Sequence, residues 1–186
     1  MADRPRDFTS GTLYAAKLTQ ETSGDLGGTF GIEWIDLGHA TSEEIEEAAR
    51  TIKFSDLFEM AEPDLKAERV CPEGFEGVNA GTAGLECLKL KEGASPAVAS
   101  RLESRRYSAM LGATTELTKL EGITYDPQRN KIYAAVSSLK SGMMDGGSYD
   151  AGDSNDIRVE YNKCGCIYSM DLGPDHMATK VSEVLF

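Results

Sequence analysis

Gly122-Ile-Thr-Tyr-Asp126, Pro127-Gln-Arg-Asn130 and Lys131-Ile-Tyr-Ala-Ala-Val-Ser137 form the stretch on which the fold turns. The first and third segments are rich in β-branched and aromatic residues and read as strands. Between them Pro127 fixes φ and Asn130 tolerates left-handed geometry, which predicts a tight turn. Downstream, a Gly/Ser/Asp-rich stretch over 141–156 reads as a loop, and Gly165-Cys-Ile-Tyr-Ser-Met-Asp-Leu172 as a third strand. Strand, turn, strand, loop, strand is an antiparallel meander. Upstream, Gly11-Thr-Leu-Tyr-Ala-Ala-Lys-Leu18 and Thr29-Phe-Gly-Ile-Glu-Trp-Ile-Asp-Leu37 predict two further strands. They pair across a polar break that holds Gly24, Gly27 and Gly28, longer than a usual hairpin loop.

Between these β regions the pattern changes, so residues 40–112 read as an insertion into a single domain spanning 1–186. Thr41 and Glu44 make a capping box, and Ile45, Ala48, Ala49 and Ile52 fall on one helical face. Glu43, Glu44, Glu46 and Glu47 then read as a solvated acidic face near the positive end of the dipole. Residues 53–94 carry no clear period and read as irregular, anchored by Phe54, Leu57 and Phe58. A second helix is predicted from Ser95-Pro96 through Val98, Leu102, Tyr107 and Met110, ending at Gly112. Its basic residues, Arg101, Arg105 and Arg106, are expected to pair with Glu103 and nearby acids.

The chain of 186 residues is 40% hydrophobic and 27% charged, ordinary for a globular domain with a core. Its net charge is −12. Such a surface repels nucleic acid backbones and anionic membranes, so neither is expected as a partner. No apolar run reaches the roughly 18 residues that cross a bilayer. Met1-Ala-Asp-Arg-Pro-Arg-Asp7 has no apolar core behind its charges, so no signal peptide is read there. A negative surface also repels phosphate esters, so binding one would require local positive charge, most simply from metal ions.

His39 and His176 stand alone, and Cys164-Gly-Cys166 is not a zinc or thioredoxin spacing. Cys71 and Cys87 bracket the glycine-rich middle of the insertion. A disulfide between them is expected, closing a loop of about 16 residues and contributing roughly 3 kcal/mol. Structural disulfides and reduced, inert thiols are the two roles open to the four cysteines. Asp145, Asp150 and Asp153 lack the alternating register of a calcium loop and read as solvated.

The form G-I-x-x-D-P-x-x-x-x-I-Y-x-A recurs in β-propeller blades. Several longer stretches together resemble the PhoX-type alkaline phosphatases, and they run from about residue 11 to 172. They include Gly31-Ile-Glu-Trp-Ile35, Cys71-Pro-Glu-Gly-Phe75, Glu86-Cys-Leu88 and Ala99–Tyr107. The most specific is Leu111-Gly-Ala-Thr-Thr-Glu-Leu-Thr-Lys-Leu-Glu-Gly-Ile-Thr-Tyr-Asp126. The last is Asn155-Asp-Ile-Arg158 leading to Asn162-Lys-Cys-Gly-Cys166.

The resemblance implies a mainly β fold with two helices in insertions: a partial β-propeller, about two blades of a six-bladed ring. It implies a periplasmic or extracellular phosphomonoester hydrolase, monomeric when complete, that scavenges phosphate with Ca2+ and Fe3+. Glu121 occupies the place of a family metal ligand, and a hard carboxylate oxygen suits a hard cation. Asn155, Asp156 and Asn162 match a polar segment near the family's active centre and are candidate metal ligands. Arg158 is the candidate catalytic residue, gripping phosphate through its planar fork. The chain lacks the family's Cys-Glu-Glu and Gly-Asp-Asp elements and its later Glu-Asp element. It is therefore expected to be an internal piece, inactive alone for want of a complete site. Two other readings stay open: a non-catalytic propeller or interaction module, and a calcium-dependent lactonase-like propeller, which shares the blade pattern.

Overall fold

The computed structural model describes residues 9–23, 27–64, 71–81, 84–147 and 154–184. Asp150 and Asp153 of the loop reading lie outside them. The chain is mainly β. A six-stranded antiparallel sheet has the order β1-β2-β9-β8-β7-β6, and a three-stranded sheet has the order β3-β5-β4. In the large sheet β1 is Ser10–Thr22, β2 Thr29–Thr41, β6 Leu120–Asp126, β7 Lys131–Val136, β8 Cys166–Asp171 and β9 Lys180–Val184. The small sheet holds β3 (Phe58–Ala61), β4 (Glu76–Asn79) and β5 (Leu85–Leu90).

The meander forms as read, and β9 extends it to four strands in sequence order. Asn130 adopts φ 50°, Asp126 Oδ1 accepts the Gln128 and Arg129 amides, and Asn130 Nδ2 donates to the Leu172 carbonyl. The β1–β2 hairpin also forms, with strands longer than its apolar stretches suggested. Thr29, Phe30 and Gly31 of β2 pair with Ser182, Val181 and Lys180 of β9, which fuses hairpin and meander into one curled half-barrel sheet. The short β9, Lys180-Val-Ser-Glu-Val184, alternates too briefly to announce itself in the sequence.

The hairpin is apolar on both faces, and each face has its own core. Leu18 and Phe30 join Ala134, Val136, Tyr168 and Val181 on the concave face, which Leu139, Met143, Ile157 and Val159 cover from the loops. Leu37 packs on the other side against Leu57, Phe58, Ala99 and Tyr107, with Leu13, Ala15 and Ile35 beside them. That second core is built by the insertion: helices α1 (Ser42–Thr51), α2 (Phe54–Leu57), α3 (Pro96–Leu102) and α4 (Ser104–Met110), with the small sheet.

The capping box at Thr41 and Glu44 is present, and the Thr41 amide and hydroxyl hold the Glu44 carboxyl below its usual range. Three expectations need correction. Among the described residues four α-helices stand where two were expected. The second helix is two, broken at Glu103 (φ −131°, ψ 50°), where no Pro or Gly marks a break. The described residues of 53–94 are not irregular, because three strands of four to six residues pair there, too short for their alternation to show.

Cys71 and Cys87 form a disulfide with a Cα–Cα distance of 5.4 Å. Cys87 is fully buried in the central strand of the small sheet, so the bridge ties the start of the described segment to that strand. The three arginines divide. Arg106 lies between Glu86 (2.7 Å) and Glu103 (2.9 Å) and over the Phe54 ring, as expected. Arg101 instead donates to the carbonyls of Leu37, Gly11 and Gly38, and Arg105 to those of Asn79 and Thr115.

Candidate functional site

Three segments cross the concave face and carry most of the candidate residues. The first, 113–119, leaves α4 through Gly112, whose φ of 86° suits the glycine predicted to end the helix. Thr114 then stitches to β1: its amide donates to the Ala16 carbonyl (3.0 Å), and its hydroxyl accepts the Leu18 amide (2.8 Å). The second, 139–147, buries Leu139 and Met143. The third, 154–162, is held at both ends. Gln20 of β1 exchanges side-chain hydrogen bonds with the Arg158 amide and carbonyl, and Leu139 and Asn162 form an antiparallel bridge.

Glu116 joins the first segment to the third. It is 1% exposed, and its Oε2 accepts the amides of Asp156 (2.8 Å) and Ile157 (2.7 Å). A buried carboxylate bound by two N–H groups, one buried and one part-buried, is a strong anchor, because each bond is charge-assisted. Sequence reasoning singled out Glu121 from this run and passed over Glu116. The available signal was a glutamate between threonines and leucine, where a surface carboxylate is the ordinary expectation.

Glu121 sits at the start of β6, one of the two edge strands of the large sheet. Leu120 pairs with Val136 and Gly122 with Ala135, so Glu121 is an extra residue in a β-bulge. A bulge releases a side chain from the alternation of its strand, and bulges concentrate beside active sites. The Glu121 side chain is 54% exposed, accepts the Ser137 hydroxyl (3.2 Å) and lies 3.4 Å from Lys119 Nζ.

The other candidates have local partners. Asp156 accepts the Thr114 hydroxyl. Asn155 Nδ2 donates to Asp145 Oδ1 (2.9 Å), and Arg158 Nη1 to the Asn155 carbonyl (2.7 Å). Asn162 shapes the turn into β8: its Oδ1 accepts the Cys164 amide, and its Nδ2 donates to the Gly165 carbonyl. Gly165 is required there, since a Cβ would sit 1.8 Å from the Val136 carbonyl oxygen. Asn155, Asp156, Arg158 and Asn162 thus share the 154–162 segment, with Asn162 at its far end in the turn into β8, whereas Glu121 stands on β6.

Among the described residues no group of three or more His, Cys, Asp or Glu side chains could hold a metal ion. No family model, curated protein or solved structure matches the chain.

Cys164 is exposed and Cys166 half-buried, both as free thiols. Burial pushes the Cys166 thiol up, a hydrogen bond with Tyr168 opposes this, and Glu183 adds to the rise. A raised thiol pKa lowers the thiolate fraction and slows alkylation. Iodoacetamide at mildly alkaline pH is expected to modify Cys164 first and Cys166 more slowly, with Cys71 and Cys87 recovered as one linked peptide pair. Equal rates at the two thiols, or free Cys71 and Cys87 in oxidised native protein, would contradict this arrangement.

Proposed function

We propose that these residues form part of a PhoX-type β-propeller, a metal-dependent phosphomonoester hydrolase that acts outside the cytoplasm. In this reading the meander β6–β9 is one blade with β6 innermost, and the β1–β2 hairpin belongs to a neighbouring one, about two of six. The observation that carries it is Glu121, displaced by a bulge on an exposed edge strand within the run Leu111–Asp126. There a carboxylate stands clear of the sheet, able to face oxygens supplied from other strands. The Cys71–Cys87 disulfide supports an oxidising compartment.

The cations are Ca2+ and Fe3+ in this reading, and the substrate is a phosphate monoester. Bound cations would neutralise the phosphate oxygens. Glu121 would offer one oxygen to such a centre, with Ser137 and Lys119 orienting its carboxylate. Asn155, Asp156 and Arg158 would contribute from the loop that Glu116 holds in place.

The test uses the natural polypeptide that carries these residues, assayed on a chromogenic phosphomonoester. Hydrolysis is expected to stop on chelation and return with calcium and ferric iron. Absence of hydrolysis at every metal loading would sink the reading. A non-catalytic interaction module is the second reading. It is favoured by an apolar cavity of about 190 Å³ at the concave face, where Trp34, Leu117, Leu120 and Ile123 remain partly exposed. Large exposed apolar surface marks sites where other protein packs.

A further inference from the structure

We propose that the pocket between α4, the 115–119 segment and the Lys140–Gly142 turn binds a small oxyanion, the phosphate group of a monoester or inorganic phosphate. The pocket has a volume of about 310 Å³, and its lining includes Arg105, Lys119 and Lys140. Three cations around one cavity are unusual in a chain of net charge −12.

Arg105 donates from Nε to the Asn79 carbonyl (3.0 Å) and from Nη2 to the Thr115 carbonyl (2.8 Å). These bonds fix the plane of the guanidinium without neutralising it. Among the described residues it has no carboxylate partner, and its Nη1 is not engaged. Burial pushes its pKa down, the mark of a charge partly stripped of water. Lys140 has no ion pair among the described residues. Lys119 has only the loose contact with Glu121 at 3.4 Å.

Glu116 also lines the pocket, but its Oε2 is committed to the Asp156 and Ile157 amides. A planar guanidinium held in place, with two ammonium groups, suits a phosphate dianion better than a single charged carboxylate. Because Lys119 touches both the pocket and Glu121, the anion would lie beside the proposed cation ligand. The phosphate-holding role then falls to Arg105 and Lys140 instead of Arg158. This rests on the phosphomonoesterase reading only for the identity of the anion.

The test is equilibrium binding of inorganic phosphate to the full chain. Saturable binding with one site is expected, weakening as salt rises. Arg105 also supports backbone, so its replacement can unfold the chain; Lys140→Ala removes no side-chain hydrogen bond or ion pair among the described residues and is the informative variant. It is expected to weaken phosphate binding roughly tenfold. Lys180→Ala, which removes a cation paired with Glu21 on the sheet, is expected to change nothing. No saturable binding into the millimolar range, or equal weakening by both variants, would overturn the assignment. Lys140-dependent binding by a natural polypeptide that hydrolyses nothing would leave the pocket standing and remove the hydrolase. Hydrolysis with KM unchanged by Lys140→Ala would do the reverse.

Discussion

Glu116→Ala is expected to destabilise the chain by about 3 kcal/mol or more. The substitution leaves the Asp156 and Ile157 amides without their acceptor, and Ile157 is fully buried. Each buried donor without a partner costs roughly 1–3 kcal/mol, and the lost side-chain volume adds a cavity cost. Ile157 and Val159 should then pack less firmly in the concave core, since the Thr114–Asp156 bond is left to join their segment to 113–119. Glu116→Gln keeps a carbonyl oxygen that can accept both amides, so it should lose only the charge-assisted part, about 1 kcal/mol. Urea unfolding with the slope checked for constancy reads both. A Glu116→Ala midpoint within error of wild type would show that the two loops are held together by something else.

The strands that carry their own turn chemistry were legible. Pro127 and Asn130 announced one turn, and Thr41 with Glu44 announced one helix start, because each acts within four residues. The elements that were missed depend on distant partners. β9 exists because β2 and β8 flank it, and β3, β4 and β5 exist because they pair with each other around Cys87. The break at Glu103 coincides with Arg106 reaching both its i,i+3 neighbour Glu103 and the distant Glu86, and the second of these contacts is in no local pattern. The same holds for the candidate site. Glu121 could be picked out from a run of residues, but the bulge that displaces it depends on the pairing of Leu120 and Gly122 with β7. Glu116 was invisible because its importance lies in two amides some 40 residues away. Arg105 looked like one of three surface cations until its partners proved to be carbonyls instead of acids.

Glu121→Gln in the natural polypeptide is expected to lower phosphomonoester hydrolysis on the order of 100-fold, the equivalent of about 2.7 kcal/mol of lost transition-state stabilisation. Glutamine keeps the shape and can still accept the Ser137 hydroxyl, so the fold should not change. What disappears is the anionic oxygen, and with it the attraction for a hard cation. The loose contact with Lys119 is exposed, and its loss should not matter to stability. The decisive measurement pairs turnover of a chromogenic phosphomonoester with bound calcium and iron, for wild type and Glu121→Gln side by side. The proposed role requires both turnover and metal content to fall while the melting temperature holds. Turnover within about twofold of wild type, with unchanged metal content, would contradict it.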